Sequence, residues 1–221
     1  MYNKAKELIS SAKKIIIIQA ENPDGDSLGS ALALEEILGD LGKKVVLYCP
    51  VEIPKYMRYI KGWNRVIGDF DTSSDLAIIV DTMAEVLLSK ALEAPGVRHF
   101  LETSPVLVID NHVTESNLSF AHTILTNEAV ATSEIIYELA IDAGWVINQQ
   151  AAENLLIAIM GDSLGLTTQN VTPRTFFIAG KLTELGASNS NIEKRRREYM
   201  KKSAEILNIS QQYINREIKN M

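Results

Sequence analysis

Four runs of apolar, mostly β-branched residues punctuate the first half of the chain: Ile15 to Ile18, Val45 to Tyr48, Leu76 to Val80 and Val106 to Ile109. Runs that are apolar throughout, without in/out alternation, suit strands buried on both faces, as in a parallel sheet. Between them the spacing changes. Leu28, Ala31, Leu32, Glu35, Leu38 and Leu41 fall three and four apart, which places the apolar positions on one side of a helix. Strand and helix patterns that alternate in this way predict an α/β fold: a parallel, Rossmann-like sheet wound by right-handed crossovers with helices on both faces. From about Ser133 the pattern turns mostly helical, with Asn148 as an N-cap and Thr172-Pro173 opening a further helix as N-cap and first-turn proline. No internal repeat and no low-complexity stretch interrupts this order.

The last stretch, 191–221, reads as a separate helical linker following a main domain over 1–190. It begins with a basic run, Lys194, Arg195, Arg196, Arg197, Lys201 and Lys202, and continues as an apolar stripe at Ile206, Leu207, Tyr213, Ile214 and Ile218. The basic run has two readings, a solvated helix face or a phosphate-contacting helix. The stripe needs a partner: either a C-terminal domain that the chain lacks, or a second copy in a homodimer.

Composition narrows the function classes. With 221 residues and 46% hydrophobic content the chain can bury one sizeable core, and its formal charge of −6 provides no global positive field for nucleic acid. A polyanionic ligand must therefore be attracted locally. The single cysteine, Cys49, forms no internal disulfide and fits a reducing compartment, and four isoleucines near the N-terminus are too short for a membrane span. A cytoplasmic protein with no membrane contact is the expectation.

Candidate chemistry lies in the acidic residues. Asp24 and Asp26 follow the first apolar run, Asp81 the third, Asp110 ends the fourth, and Asp162 ends a helical stretch. The carboxyl ends of parallel strands share one crevice, so these side chains can converge although they are far apart in sequence. Carboxylates gathered in one cleft repel each other and lose hydration, a cost relieved by protonation or by a cation. An oxygen-rich set suits Mg or Mn, and a pair of such ions forms a clamp for phosphoryl transfer. The bland readings are an Asp acting as an N-cap and Asn22-Pro23-Asp24-Gly25-Asp26 acting as a turn. The segment lacks the later offsets of an EF-hand, the Gly-Lys-Ser/Thr of a P-loop and the glycine-rich loop of a dinucleotide-binding Rossmann domain.

Three segments together resemble the DHH phosphoesterase family. They are Ile17 to Ser30, with Asn22-Pro23-Asp24-Gly25-Asp26 and Gly29-Ser30; Val108-Ile109-Asp110-Asn111-His112, at the place of the Asp-His-His triplet; and Gly161-Asp162-Ser163-Leu164-Gly165, followed by the threonine-opened helix. Asp81 matches the remaining metal position. The resemblance implies one or two Mn or Mg ions and hydrolysis of phosphate esters, with a nucleotide or a short single-stranded oligonucleotide as substrate. It implies metal positions at Asp24, Asp26, Asp81 and Asp162, with Asn111 as a weaker oxygen ligand. His112 would contact phosphate or assist protonation, and Asp110 would support it. Two positions depart from the family pattern: Ala20 and Asn111 stand where metal-binding histidines are expected. These departures raise the alternative of a catalytically inactive nucleotide-binding or scaffold domain on the same fold.

Overall fold

Ile15 to Ile18 form the middle of the sheet, because each of these side chains has an apolar layer to enter on whichever face it points to. The computed structural model describes residues 2–112 and 116–200. Its strands are β1 (Lys14–Ile18), β2 (Lys44–Tyr48), β3 (Val66–Ile67), β4 (Leu76–Val80), β5 (Val106–Asp110) and β6 (Thr123–Thr126). All neighbours pair in parallel, in the order β3-β2-β1-β4-β5-β6. That is the doubly wound order, whose direction reverses between β1 and β4.

Side chains sort by strand parity. Ile15 and Ile17 join Ile78, Val80, Leu107 and Ile109 in one core, beneath α1 (Asn3–Ser11), α2 (Gly25–Asp40), α5 (Thr132–Ala143), α6 (Gln149–Asp162) and α7 (Pro173–Glu184). Ile16 and Ile18 join Ala77, Ile79, Val106 and Val108 in the second core, against the short helices α3 (Ser89–Glu93) and α4 (Val97–Thr103). The expected α/β architecture is therefore present, with helices on both faces.

Local signals explain the helix boundaries. Asp24 caps α2 by accepting the N–H groups of Asp26 and Ser27, each at 3.0 Å. Asn148 caps α6 through Ala151 N–H at 2.9 Å. Thr172 opens α7 with Pro173 in its first turn, and its own N–H donates to Thr175 Oγ1 at 3.3 Å. Helices α2 and α6 approach closely at Gly29, where a Cβ would lie 2.7 Å from the Asn154 carbonyl oxygen and 3.0 Å from Ala158 Cβ.

Three elements were not expected from the pattern. The strand β3 has two residues, too short for any period, and the edge strand β6 reads Thr-Ile-Leu-Thr with mixed burial. Helix α1 buries Ala5 and Ile9 but carries too few large apolar residues to announce itself. Simple alternation also fails in places. The chain from β2 to β4 passes through 3-10 turns at Lys55–Met57 and Trp63–Arg65 in place of an α-helix.

A further helix, α8, covers residues 189–200. It docks on α6 through Arg195, which donates to Glu153 Oε1 at 2.6 Å, while Arg196 pairs with Glu193 at 2.8 Å. The arginines of the basic run that are described thus have carboxylate partners in the protein, in keeping with a structural, ion-paired face. Lys201, Lys202 and the stripe from Ile206 to Ile218 lie outside the described residues.

Candidate metal centre

The crevice opens at the carboxyl ends of β1 and β4, where the winding of the sheet reverses and ligands of this architecture bind. Asp26, in the first turn of α2, is completely buried. Its carboxylate accepts from Ser30 Oγ at 3.0 Å, from Thr132 N–H at 2.6 Å and from Ser133 N–H at 3.3 Å. The last two donors are the open N–H groups at the start of α5, whose dipole favours negative charge there. Burial nevertheless wins over these donors. It raises the Asp26 carboxyl to about 6, with repulsion from Asp24 adding to the shift.

Asp81 leaves β4 in the left-handed region, with φ of 60°. For an Asp this costs about 1–2 kcal/mol, offset here by the Asp81 N–H bond to the Ile109 carbonyl at 2.9 Å. The strained turn directs the carboxylate toward the crevice, where it accepts from Thr132 Oγ1 at 3.1 Å. Desolvation and the charges of Asp26, Asp24, Asp162 and Asp110 push its pKa well above the ordinary carboxylate range.

Asp162 ends α6, just before a tight turn with positive φ at Leu164 and Leu166. Desolvation, followed by repulsion from Asp26 and Asp24, raises its carboxyl to about 7. Gly161 abuts Gly25, where an added Cβ would stand 4.0 Å from the Gly25 Cα, so the α6 terminus and the Asp24-Gly25-Asp26 turn form one wall.

Asp110, at the end of β5, is buried and holds His112 twice. Its Oδ1 accepts from His112 N–H at 3.0 Å and pairs with Nδ1 at 2.7 Å. That hydrogen bond, followed by charge attraction to Asp110, Asp26 and Asp162, raises the His112 pKa against the opposing effect of desolvation. The His112 side chain is 59% exposed, and its Nε2 takes no part in the bonds to Asp110. The ligand atoms of Asp81, Asp110 and His112 lie within 4.8 Å of one another, and Asp110 Oδ2 is buried without a protein partner.

The two positions where the resemblance placed histidines, Ala20 and Asn111, have defined surroundings. Ala20 is buried, with its carbonyl accepting a weak bond from the Cys49 thiol at 3.5 Å. Asn111 turns its amide toward the segment before α5: Nδ2 donates to the carbonyls of Ala129 (3.2 Å) and Val130 (3.1 Å), and Oδ1 accepts from Thr132 Oγ1 at 3.0 Å. Sequence reasoning missed Thr132, which touches Asp26, Asp81 and Asn111 together. Its signal in the sequence is slight, a hydroxyl residue at a helix start.

The donors fit a hard divalent cation. They are carboxylate oxygens, three of them on residues whose pKa is raised by burial and mutual repulsion, the condition that a cation relieves.

Fold and site together define a doubly wound α/β domain with an acidic crevice at the carboxyl edge of its sheet. Comparison with known proteins gives the family: residues 14–159 match the DHH family N-terminal domain, and the chain belongs to that family. It is 27% identical over 187 residues to the bifunctional oligoribonuclease and PAP phosphatase NrnA of Bacillus subtilis, covering 83% of this chain and 57% of that one. It is 25% identical over 193 residues to the NrnA of Mycoplasma pneumoniae, covering 86% and 58%. The chain thus spans a little over half the length of these curated relatives. Among solved structures it shares the fold of an exopolyphosphatase-related protein from Bacteroides fragilis, with a TM-score of 0.78 at 21% identity over 88% of this chain and 59% of that one. The fold is also that of a family II inorganic pyrophosphatase, described as putative, from Methanococcus jannaschii (TM-score 0.61, 21% identity, 85% and 60% covered).

Proposed function

We propose that the chain is a divalent-metal-dependent phosphoesterase domain that hydrolyses nucleotides or short single-stranded oligonucleotides, with Mn or Mg at the crevice. The observation that carries this reading is the meeting of Asp24, Asp26, Asp81 and Asp162 with the Asp110–His112 pair at the reversal point of the sheet. The names of its relatives, oligoribonucleases and PAP phosphatases, supply the substrate class.

An acidic cleft in a chain of net charge −6 repels phosphate. A divalent cation bound there would offset that field locally and would supply activation of water and charge compensation at the phosphoryl oxygens. Within the protein, Asp81 would hold the cation together with the neighbouring carboxylates of Asp24, Asp26 and Asp162, whose charges act on it. Asp110 fixes the His112 ring and keeps it protonated to higher pH, so that Nε2 donates a proton to a phosphate or leaving-group oxygen.

The test is release of nucleoside monophosphate from a dinucleotide, and of phosphate from a phosphorylated nucleoside, in Mn or Mg. The unaltered chain turns substrate over and Asp81→Ala does not. Nucleotide binding without turnover in the unaltered chain would instead support the inactive binding domain.

A further inference from the structure

We infer that the cavity enclosed by the end of α6, Tyr59 and α8 binds a nucleobase of the substrate, and that Arg196 at its rim receives a phosphate attached to that nucleoside. The inference rests on the proposed phosphoesterase reading, which puts the reacting phosphate at the crevice beside Asp162, and it names the part of the substrate held next to it.

The cavity has a volume of about 520 Å³, within the size that small-molecule sites occupy. Its walls are the apolar side chains of Ile157, Met160 and Leu164, with Tyr59 among them, and Gly161 contributes bare backbone. Gly161 directly precedes Asp162 and abuts Gly25, so the cavity and the acidic crevice share the wall formed by the end of α6. A nucleotide whose phosphate lies at the carboxylates can therefore place its base in the cavity.

The turn that closes α6 displays an apolar side chain instead of burying it. Leu164, Gly165 and Leu166 follow one another in the left-handed region, with φ of 47°, 75° and 68°. A leucine adopts this conformation at a cost, and strain of this kind gathers at ligand-binding positions. Ser163 pins the turn. Its hydroxyl donates to the Ile159 carbonyl at 2.5 Å and accepts from Leu166 N–H at 2.9 Å, while Gly165 N–H donates to the Met160 carbonyl at 2.8 Å. Leu164 consequently lines the cavity yet stays 74% exposed, an open apolar surface for a flat partner.

Charge selects the partner. Arg196 is the one cation among the described residues that line the cavity. It is held by Glu193 Oε2 at 2.8 Å, but the pair is exposed and three residues apart on one helix, which makes it weak. The guanidinium can exchange that carboxylate for a phosphate, whose charge and oxygens suit its planar fork. Burial raises the pKa of the Tyr59 phenol and the charge of Arg196 opposes the rise, so the aromatic ring and the cation act on each other. An aromatic ring, an aliphatic wall and a guanidinium together suit a base that carries a phosphate, and stacking of this kind tolerates any base.

The test follows the methionine methyl groups of the full chain by NMR in Mg, with the Met160 signal assigned through Met160→Leu. The probe is a 5′-phosphorylated dinucleotide with a non-hydrolysable methylene linkage. The expected result is a ring-current shift at Met160 and none at Met83, which is buried in the second core. Ribose 5-phosphate, which lacks a base, leaves Met160 in place. By calorimetry, Tyr59→Leu weakens dinucleotide binding about 5–100-fold through lost stacking. Leu164→Asn relieves the strained turn, because asparagine takes the left-handed region readily, so it melts no lower than the unaltered chain yet binds less tightly. Arg196→Gln removes the preference for the dinucleotide over the same molecule without its terminal phosphate.

An unmoved Met160 signal at saturating dinucleotide would overturn the inference, as would an equal shift with ribose 5-phosphate or no binding at millimolar dinucleotide. Unaltered affinity in Leu164→Asn, or a terminal-phosphate preference kept in Arg196→Gln, would do the same. None of these measurements needs turnover, so the two readings fail separately. A Met160 shift without hydrolysis of the natural dinucleotide sinks the proposed function and leaves this inference standing, and hydrolysis with a silent Met160 does the reverse.

Discussion

The backbone N–H of Thr132 donates to Asp26 Oδ2 at 2.6 Å across 106 residues of sequence, joining the first turn of α5 to the first turn of α2. The Thr132 hydroxyl extends the link to Asp81 at 3.1 Å and to Asn111 at 3.0 Å. One hydroxyl hydrogen serves one of these acceptors at a time, and the charged carboxylate is the stronger. Thr132→Val keeps the N–H bond and the shape but removes the hydroxyl. The expected loss is about 0.5–1.5 kcal/mol of stability, because half-buried acceptors lose a donor. Urea unfolding measures it, and a loss of Mn affinity should accompany it.

Stability of the metal-free protein should fall as pH rises. Asp26 and Asp162 have folded pKa values raised to about 6 and about 7, above the unfolded range near 4, so the folded state binds more protons between those limits. In chelator, the melting temperature should therefore drop from pH 5 to pH 8. Added Mn should reverse the drop, and its effect should grow with pH, because the ion competes with protons for the same oxygens. Scanning calorimetry with and without Mn across this range checks both signs.

Asp110→Asn should lower the His112 titration. The carboxylate that accepts from His112 Nδ1 is the main reason for the raised pKa, and a neutral amide stabilises the imidazolium less. The His112 ring resonances, followed by NMR against pH, report the shift, with His99 and His122 as internal references. An unchanged His112 would remove Asp110 as its positioning residue.

Gly29→Val should cost about 1–3 kcal/mol through overpacking, since the new Cβ meets the Asn154 carbonyl oxygen at 2.7 Å and Ala158 Cβ at 3.0 Å. These neighbours are helix backbone and a short side chain, neither of which can swing away. A lower denaturation midpoint at unchanged m-value is the expected signature.

Much of the fold was legible because its signals are local. The runs at Ile15, Val45, Leu76 and Val106 became the four central strands, and Asn148 and Thr172 cap the helices they were expected to cap. The unread elements, α1, β3 and β6, are short or sit at an edge, where partial burial weakens the pattern. The acidic residues were legible as a group because the carboxyl ends of parallel strands share one crevice.

By itself, the sequence determined the four central strands of the sheet, the convergence of Asp24, Asp26, Asp81 and Asp162 on one edge, and the absence of imidazole at positions 20 and 111. Tertiary structure decided what those positions do instead. Asn111, expected from the resemblance as an oxygen ligand, has its amide nitrogen on the Ala129 and Val130 carbonyls and its Oδ1 beside the Thr132 hydroxyl, and Thr132 itself gave almost no sign. The physical reason is reach. Hydrophobic period and helix caps are set by neighbours within a turn, whereas a buried polar side chain takes its role from whichever donors and acceptors the packed helices bring to it.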